Sequence, residues 1–105
     1  MHRKFFRNFQ MKKYKILICG ENFILDLGEG VKKYGFYVNS FCEADNENNA
    51  RILAMDSINQ RKEIQARIVN TNDNLPILKV EEITEIDSFD TYNLEQGIAW
   101  FLDED

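Results

Sequence analysis

The sequence predicts an α+β fold, a two-layer sandwich in which an antiparallel sheet of about five strands carries one or two helices on one face. Apolar residues alternate with period two over Tyr34–Ala44 and again in two segments nearer the end of the chain. Between these runs, small and apolar side chains recur at helical spacing. The predicted order of elements is β-β-β-α-(α)-β-β.

Three strands are predicted before the helix. The first is Tyr14–Cys19, which is apolar on both faces at its end and is therefore expected at the centre of the sheet. Gly20-Glu21-Asn22 then interrupts the pattern as a β-bulge or a tight turn, because Gly and Asn tolerate positive φ. Phe23–Leu27 is the second predicted strand. Tyr34–Ala44 is the third, and polar residues on both of its faces indicate that neither face is wholly exposed.

A helix is predicted directly after the third strand. Asp45 and Asn46 supply an N-cap, and Glu47 places a negative charge in the first turn. Small residues on one stripe would let this helix lie close to the sheet: Ala50, Ala54 and Ser57. Arg61–Val69 fits a helix or a strand, and a continued or second short helix is favoured because its Glu, Gln, Arg and Ala are good helix formers.

Two strands complete the predicted sheet. Asn70–Pro76 is a predicted loop, since Asn and Asp bond their own backbone and Pro ends regular structure. Ile77–Asp87 alternates as a strand, but Glu81 and Glu82 break the alternation, which indicates a bulge or a sheet edge. Gly97–Leu102 is the last predicted strand.

Length and composition favour one domain. A chain of 105 residues that is 44% hydrophobic can build a single core, which we predict over residues 13–105. Residues 1–12 are expected to be a disordered or alternative-start basic arm, because Met11 resembles an ordinary start before the first strand. No apolar run approaches the ~20 residues of a membrane span. The first ten residues lack the apolar core of a signal peptide. The expected location is the cytoplasm.

The inventory of reactive side chains argues against an enzyme and against a cofactor. The one histidine is His2, so the predicted domain holds no Ser-His or Cys-His pair and no histidine-based metal site. A phosphate-binding Gly-rich loop is also missing. Cys19 and Cys42 are expected to be buried free thiols, which would be neighbours only if the first and third strands paired in that register.

Charge is distributed unevenly along the chain. All 18 acidic residues lie at position 21 or later, no Lys or Arg follows Lys79, and the net charge is −5. A negative field of this kind repels nucleic acid and attracts basic protein surfaces. We therefore predict a basic protein partner and place its contacts at the acidic residues that follow Lys79. They are Glu81, Glu82, Glu85, Asp87, Asp90 and Glu95.

Other roles for these residues are weighed against that one. Glu81, Glu85 and Asp87 would share a strand face and could hold a cation, but a solvated or edge-guarding role is favoured. Tyr34, Phe36, Tyr37 and Phe41 superficially resemble an RNA-stacking sheet, but too few cations accompany them, so they are expected in the core. Of two adjacent aromatic residues, one should be core and the other could anchor a partner. They are Trp100 and Phe101.

Four short segments carry a resemblance to known sequences. They are Asn22-Phe23, Lys33–Val38, Phe41–Ala44 and Val80–Ile83, with KYGFYV and the following EA as the core of the pattern. Over about residues 13–100 the chain resembles a group of short bacterial hypothetical proteins. No activity is established for that group, so the resemblance implies a bacterial cytoplasmic single domain and transfers no functional residue.

Three functional hypotheses follow. The first is a small acidic non-enzymatic interaction protein that binds a basic partner, as immunity proteins and inhibitors do. The second is a homo-oligomeric structural or regulatory domain, such as a homo-dimer, that associates through exposed aromatic residues and a sheet edge. The third is a sensor of a small ligand or a metal.

Overall fold

The computed structural model describes residues 10–95 and 97–103. Within them, four strands form one antiparallel sheet in the order β3-β1-β2-β4. The strands are β1 Lys12–Asp26, β2 Val31–Ala44, β3 Ile77–Ile86 and β4 Ala99–Leu102, and the helices are α1 Glu47–Asn59 and α2 Lys62–Gln65. The predicted α+β class and the two predicted helices are confirmed.

The prediction of five strands is wrong, because the first two predicted strands are one. The pairing of β1 with β2 shifts between Gly20 and Phe23 and then resumes. Asn22 sits at this shift with φ 58°, the left-handed conformation that Asn tolerates. The interruption is therefore a bulge within one long strand rather than a turn between two. The observed order is β-β-α-α-β-β.

The connection after α2 holds the β1 bulge in place. The Asn70 side chain accepts the backbone N–H of Ile24 and donates to the carbonyl of Asn22, both at 2.9 Å. Asn22 in turn donates from its side chain to the carbonyl of Leu75 at 3.0 Å. The predicted Asn-rich loop thus satisfies backbone groups of β1 beyond Glu21, where the pairing of β1 with β3 ends.

One face of the sheet, here called the helix face, carries both helices. Ala50, Ala54 and Ile58 of α1 and Ile64 of α2 are buried in a single cluster with residues of β1 and β2. The two alanines allow the close approach that the sequence predicts. The helix begins at the predicted cap, where the Asn46 side chain accepts the N–H of Asn49 at 2.9 Å.

An aromatic cluster fills the helix face beside the bulge. Phe36 is fully buried, and its ring centroid lies 5.0 Å from those of both Phe23 and Trp100. The Phe36 ring crosses directly over Gly20 on the neighbouring strand. A glycine is required there because a side chain would occupy the volume of the ring.

The third strand, β3, has the predicted bulge and lies at the predicted edge. It is an edge strand of the sheet, and its pairing with β1 shifts between Leu17 and Ile18, where Glu81 is the extra residue. Both predictions are confirmed.

The two cysteines lie on opposite faces of the sheet. Cys19 pairs with Tyr37 on the face opposite the helices, whereas Cys42 pairs with Tyr14 on the helix face. The register therefore separates the two thiols, and both are free.

The predicted basic arm lies mostly outside the described residues, which begin at residue 10. Within the described part, β1 begins at Lys12, the last residue assigned to the arm.

Candidate protein-interaction face

The sheet face opposite the helices, here called the open face, is partly covered by the connection between β3 and β4. These strands lie at opposite edges of the sheet, so the chain must cross it. Phe89 and Tyr92 pack on Phe41, with ring centroids 6.2 and 5.4 Å away. The ammonium groups of Lys13 and Lys15 lie 5.9 and 5.8 Å from the ring centroids of Phe89 and Tyr92, in cation–π range.

The other half of the open face presents an exposed pair of aromatic rings. Tyr37 is 45% exposed and Phe101 is 42% exposed, with ring centroids 5.8 Å apart and a tilt of 31°. The Phe101 ring covers Gly35, where an added Cβ would come within 2.6 Å of two ring atoms. We call Tyr37 and Phe101 the aromatic platform. Its rings are positioned by the sheet before any partner binds.

Carboxylates border the platform on the β1 and β3 side. Glu81 and Glu82 are exposed on β3, and Glu21 lies on β1 beside Lys79. We call Glu21, Glu81 and Glu82 the acidic rim. The Lys79 ammonium donates to Glu21 at 3.0 Å, and this hydrogen bond raises the pKa of Lys79. With one cation among three carboxylates, the rim remains negative.

The cross-strand pair Cys19–Tyr37 joins the rim to the platform. Burial raises the pKa of the Cys19 thiol. The pKa of Tyr37 is raised by the charge of Cys19 and by the hydrogen bond between the Tyr37 and Cys19 side chains. The charges of Glu81 and Glu21 raise it further. The rim carboxylates therefore act electrostatically at the Tyr37 hydroxyl.

These shifts predict that the protein loses stability in alkali. Burial raises the pKa of both Cys19 and Cys42, so the folded state holds these protons more tightly than the unfolded state does. That contribution is complete below the unfolded thiol pKa of about 8.5 and is lost as the pH rises through the folded values. We expect the free energy of unfolding, measured with urea, to fall progressively above about pH 8.5.

A double variant, Cys19→Ala with Cys42→Ala, is the control for this pH dependence. In this variant the free energy of unfolding should fall less steeply between about pH 8.5 and the higher pH at which Tyr and Lys titrate. An equally steep decline in the double variant would contradict the assignment to the thiols.

The predicted contact residues fall into three groups. Glu81, Glu82 and Phe101 lie on or beside the open face. Glu85 pairs with Tyr14 on the helix face, because the bulge at Glu81 breaks the shared face expected for Glu81, Glu85 and Asp87. The remaining acidic residues are exposed on the connection: Asp87, Asp90 and Glu95.

Trp100 belongs to the core rather than to the candidate site. Its indole is half-buried and lies edge-on to the rings of Phe23, Tyr34 and Phe36. Phe101 points to the opposite face, as alternation along β4 requires. The expectation that one of these two aromatic residues is core is confirmed for Trp100.

Sequence reasoning did not select Tyr37 and Glu21 for the site. Tyr37 was expected in the core with Phe36, but its 45% exposure corrects that expectation. The available signal was its strand neighbours on the same face, Asn39 and Glu43, which are polar. Glu21 joins the rim only because the bulge carries β1 past Gly20 without a turn.

Other kinds of site have little support in the described residues. Across 10–95 and 97–103, no group of three or more His, Cys, Asp or Glu side chains is arranged to hold a metal ion. In the same ranges no helix has the length and apolar character needed to cross a membrane. Comparisons of the chain with protein-family models, curated proteins and solved structures find no match.

Proposed function

We propose that this chain is a small acidic, non-enzymatic protein that binds a basic surface of another protein through its open face. The observation that carries the proposal is the exposed aromatic platform beside the acidic rim. Large aromatic residues on rigid elements are typical interaction anchors, and surrounding charges select the partner by sign. Both features stand on paired strands, so little ordering is needed on binding.

The charge of the whole chain supports the same partner. The net charge of −5 gives long-range attraction to a cationic surface, and exposed Asp87, Asp90 and Glu95 extend the negative area beyond the rim. Association should therefore be fast at low ionic strength and slower when salt screens the charges. Nucleic acid would be repelled by the same field.

A salt-controlled capture experiment tests the proposal. The full chain is immobilised and exposed to lysate of the organism that encodes it, at low and at high salt. We expect a basic protein to be retained at low salt and to be reduced several-fold at high salt. Retention should fall strongly for Glu81→Gln with Glu82→Gln, and for Phe101→Ser.

Matched changes on α1 serve as controls for charge and for exposed apolar area. Asp56→Asn removes an exposed carboxylate, and Ile52→Ser removes an apolar side chain that is 52% exposed, both on the helix away from the open face. Both controls should bind as the parent does. Equal loss in the α1 variants and the open-face variants, or no specific partner at either salt concentration, would refute the proposal.

Association of the chain with itself is the second candidate. The observation that favours it is that the platform is apolar and exposed, so two copies could bury it in a symmetric interface. The acidic rims would then approach each other, which opposes such a dimer. Light scattering at micromolar concentration distinguishes the two candidates. If the parent chain is a monomer and Phe101→Ser has the same mass, self-association is excluded and binding to a basic partner remains.

We place this function in the cytoplasm. Both cysteines are free, Cys19 is buried and Cys42 half-buried, and unpaired thiols are typical of proteins in a reducing compartment.

A further inference from the structure

We propose that the aromatic platform is a binding site for an arginine side chain of the partner, with its guanidinium stacked on Tyr37 and Phe101. The inference rests on the proposed function and specifies the chemical group that the open face recognises. The occupant is a planar organic cation rather than a general apolar surface.

Ring geometry is the first argument. The two rings are tilted by only 31°, and each of the two residues is more than two fifths exposed. A guanidinium group is flat and weakly hydrated, so it stacks on aromatic faces more readily than an ammonium group does. Cations in this position are held within about 6 Å of the ring centroid.

Charge complementarity is the second argument. Four carboxylates lie on the same face as the platform: Glu21, Glu81, Glu82 and Asp103. Two lysines that lie among these carboxylates are already engaged, Lys79 with Glu21 at 3.0 Å and Lys33 with Asp103 at 4.0 Å. The exposed carboxylates of Glu81 and Glu82 lie two strands from β2, about 10 Å across the sheet at ordinary strand spacing. They are also displaced along the strands, because Glu82 pairs with Leu17 whereas Tyr37 pairs with Cys19. An arginine on Tyr37 therefore enters a region of negative potential.

The covered half of the open face shows the same chemistry within the chain. There, Lys13 and Lys15 place their ammonium groups over the rings of Phe89 and Tyr92. The sheet thus already joins cations to aromatic rings at one end. At the other end the rings of the platform are exposed and the surrounding charge is negative, so the partner supplies the cation.

Nuclear magnetic resonance on the ¹⁵N-labelled full chain tests the assignment. The probe is a blocked Gly-Arg-Gly peptide, and the control probe replaces arginine by citrulline, which has nearly the same shape and no charge. We expect the arginine peptide to shift the signals of Tyr37, Phe101 and Glu81 most. The citrulline peptide should leave them unchanged.

Two double variants separate the ring contribution from the charge contribution. Tyr37→Leu with Phe101→Leu keeps an apolar surface without aromatic faces, and it should abolish the arginine-dependent shifts. Glu81→Gln with Glu82→Gln keeps the rings and should weaken arginine binding several-fold. Ile52→Leu, on α1, should change neither result. Each variant is first shown to unfold cooperatively, as the parent does.

The outcomes distinguish this inference from the function on which it rests. Equal shifts with arginine and citrulline peptides, full arginine binding by the leucine variant, or no shift at the highest soluble peptide concentration would each overturn the arginine site. If the leucine variant still captures the basic protein in a salt-sensitive way, the proposed function stands and only the arginine site fails. If the parent captures no basic protein, the proposed function fails first.

Discussion

Replacing Phe36 by alanine is expected to lower the free energy of unfolding by about 3–5 kcal/mol. The ring is fully buried and makes edge contacts with Phe23 and Trp100, each at a centroid distance of 5.0 Å. Alanine would leave a cavity in a region where three strands and their aromatic residues meet. Total stabilities of domains this size are commonly about 5–15 kcal/mol, so the loss would be a large fraction.

Urea unfolding followed by far-ultraviolet circular dichroism measures this effect without relying on Trp100, whose own surroundings change in the variant. The matched control is Phe101→Ala, which removes the same side chain from a 42% exposed position on the open face. Its expected cost is about 1 kcal/mol, the contribution of one aromatic pair. Similar losses for the two variants would contradict the division of the sheet into a buried and an open aromatic cluster.

Replacing Gly20 by alanine is expected to cost about 1–3 kcal/mol, although only one methyl group is added. The new Cβ would stand 2.6 Å from Cδ2 of Phe36 and closer still to two other ring atoms. Phe23 and Trp100 pack against that ring, so it has little room to move aside. Reduced freedom of the unfolded chain favours alanine by only about 0.4–1 kcal/mol, so the clash dominates.

A double-mutant cycle tests the cause of the Gly20 effect. In a Phe36→Leu background the ring is absent, so Gly20→Ala should cost less than it does in the parent, with a coupling of about 0.5–3 kcal/mol. Gly97→Ala is the control glycine, because nothing lies within 4 Å of its added Cβ. Gly97→Ala should be close to neutral. Absence of coupling between positions 20 and 36 would show that the close approach is not what requires glycine.

Local signals in the sequence were sufficient for most secondary structure. Asn46 caps α1 as expected because a cap depends on a few adjacent residues, and Ala50 and Ala54 form the predicted small stripe. The adjacent acids Glu81 and Glu82 correctly marked a bulge in an edge strand, since the break in alternation is visible along the chain.

The number of strands and their register could not be predicted from local sequence signals. Gly20-Glu21-Asn22 fits a bulge or a turn equally well, and the choice depends on partners far away in sequence. Asn70 and Leu75 supply hydrogen bonds that stabilise the bulge. Register likewise places Cys19 beside Tyr37 and Cys42 beside Tyr14, which no spacing within either strand reveals.

For the candidate site, the sequence by itself determined the excess of negative charge, its position after Lys79, and the absence of histidine-based chemistry from residues 3–105, because composition and order do not depend on folding. It also proposed Glu81 and Glu82 as contact residues, and it put forward Trp100 and Phe101 without choosing between them. Only the tertiary structure decided that Trp100 is core, that Tyr37 is exposed, and that Tyr37 and Phe101 form one platform. The physical reason is that alternation shows which residues share a face, whereas exposure depends on which face the helices and the β3–β4 connection cover.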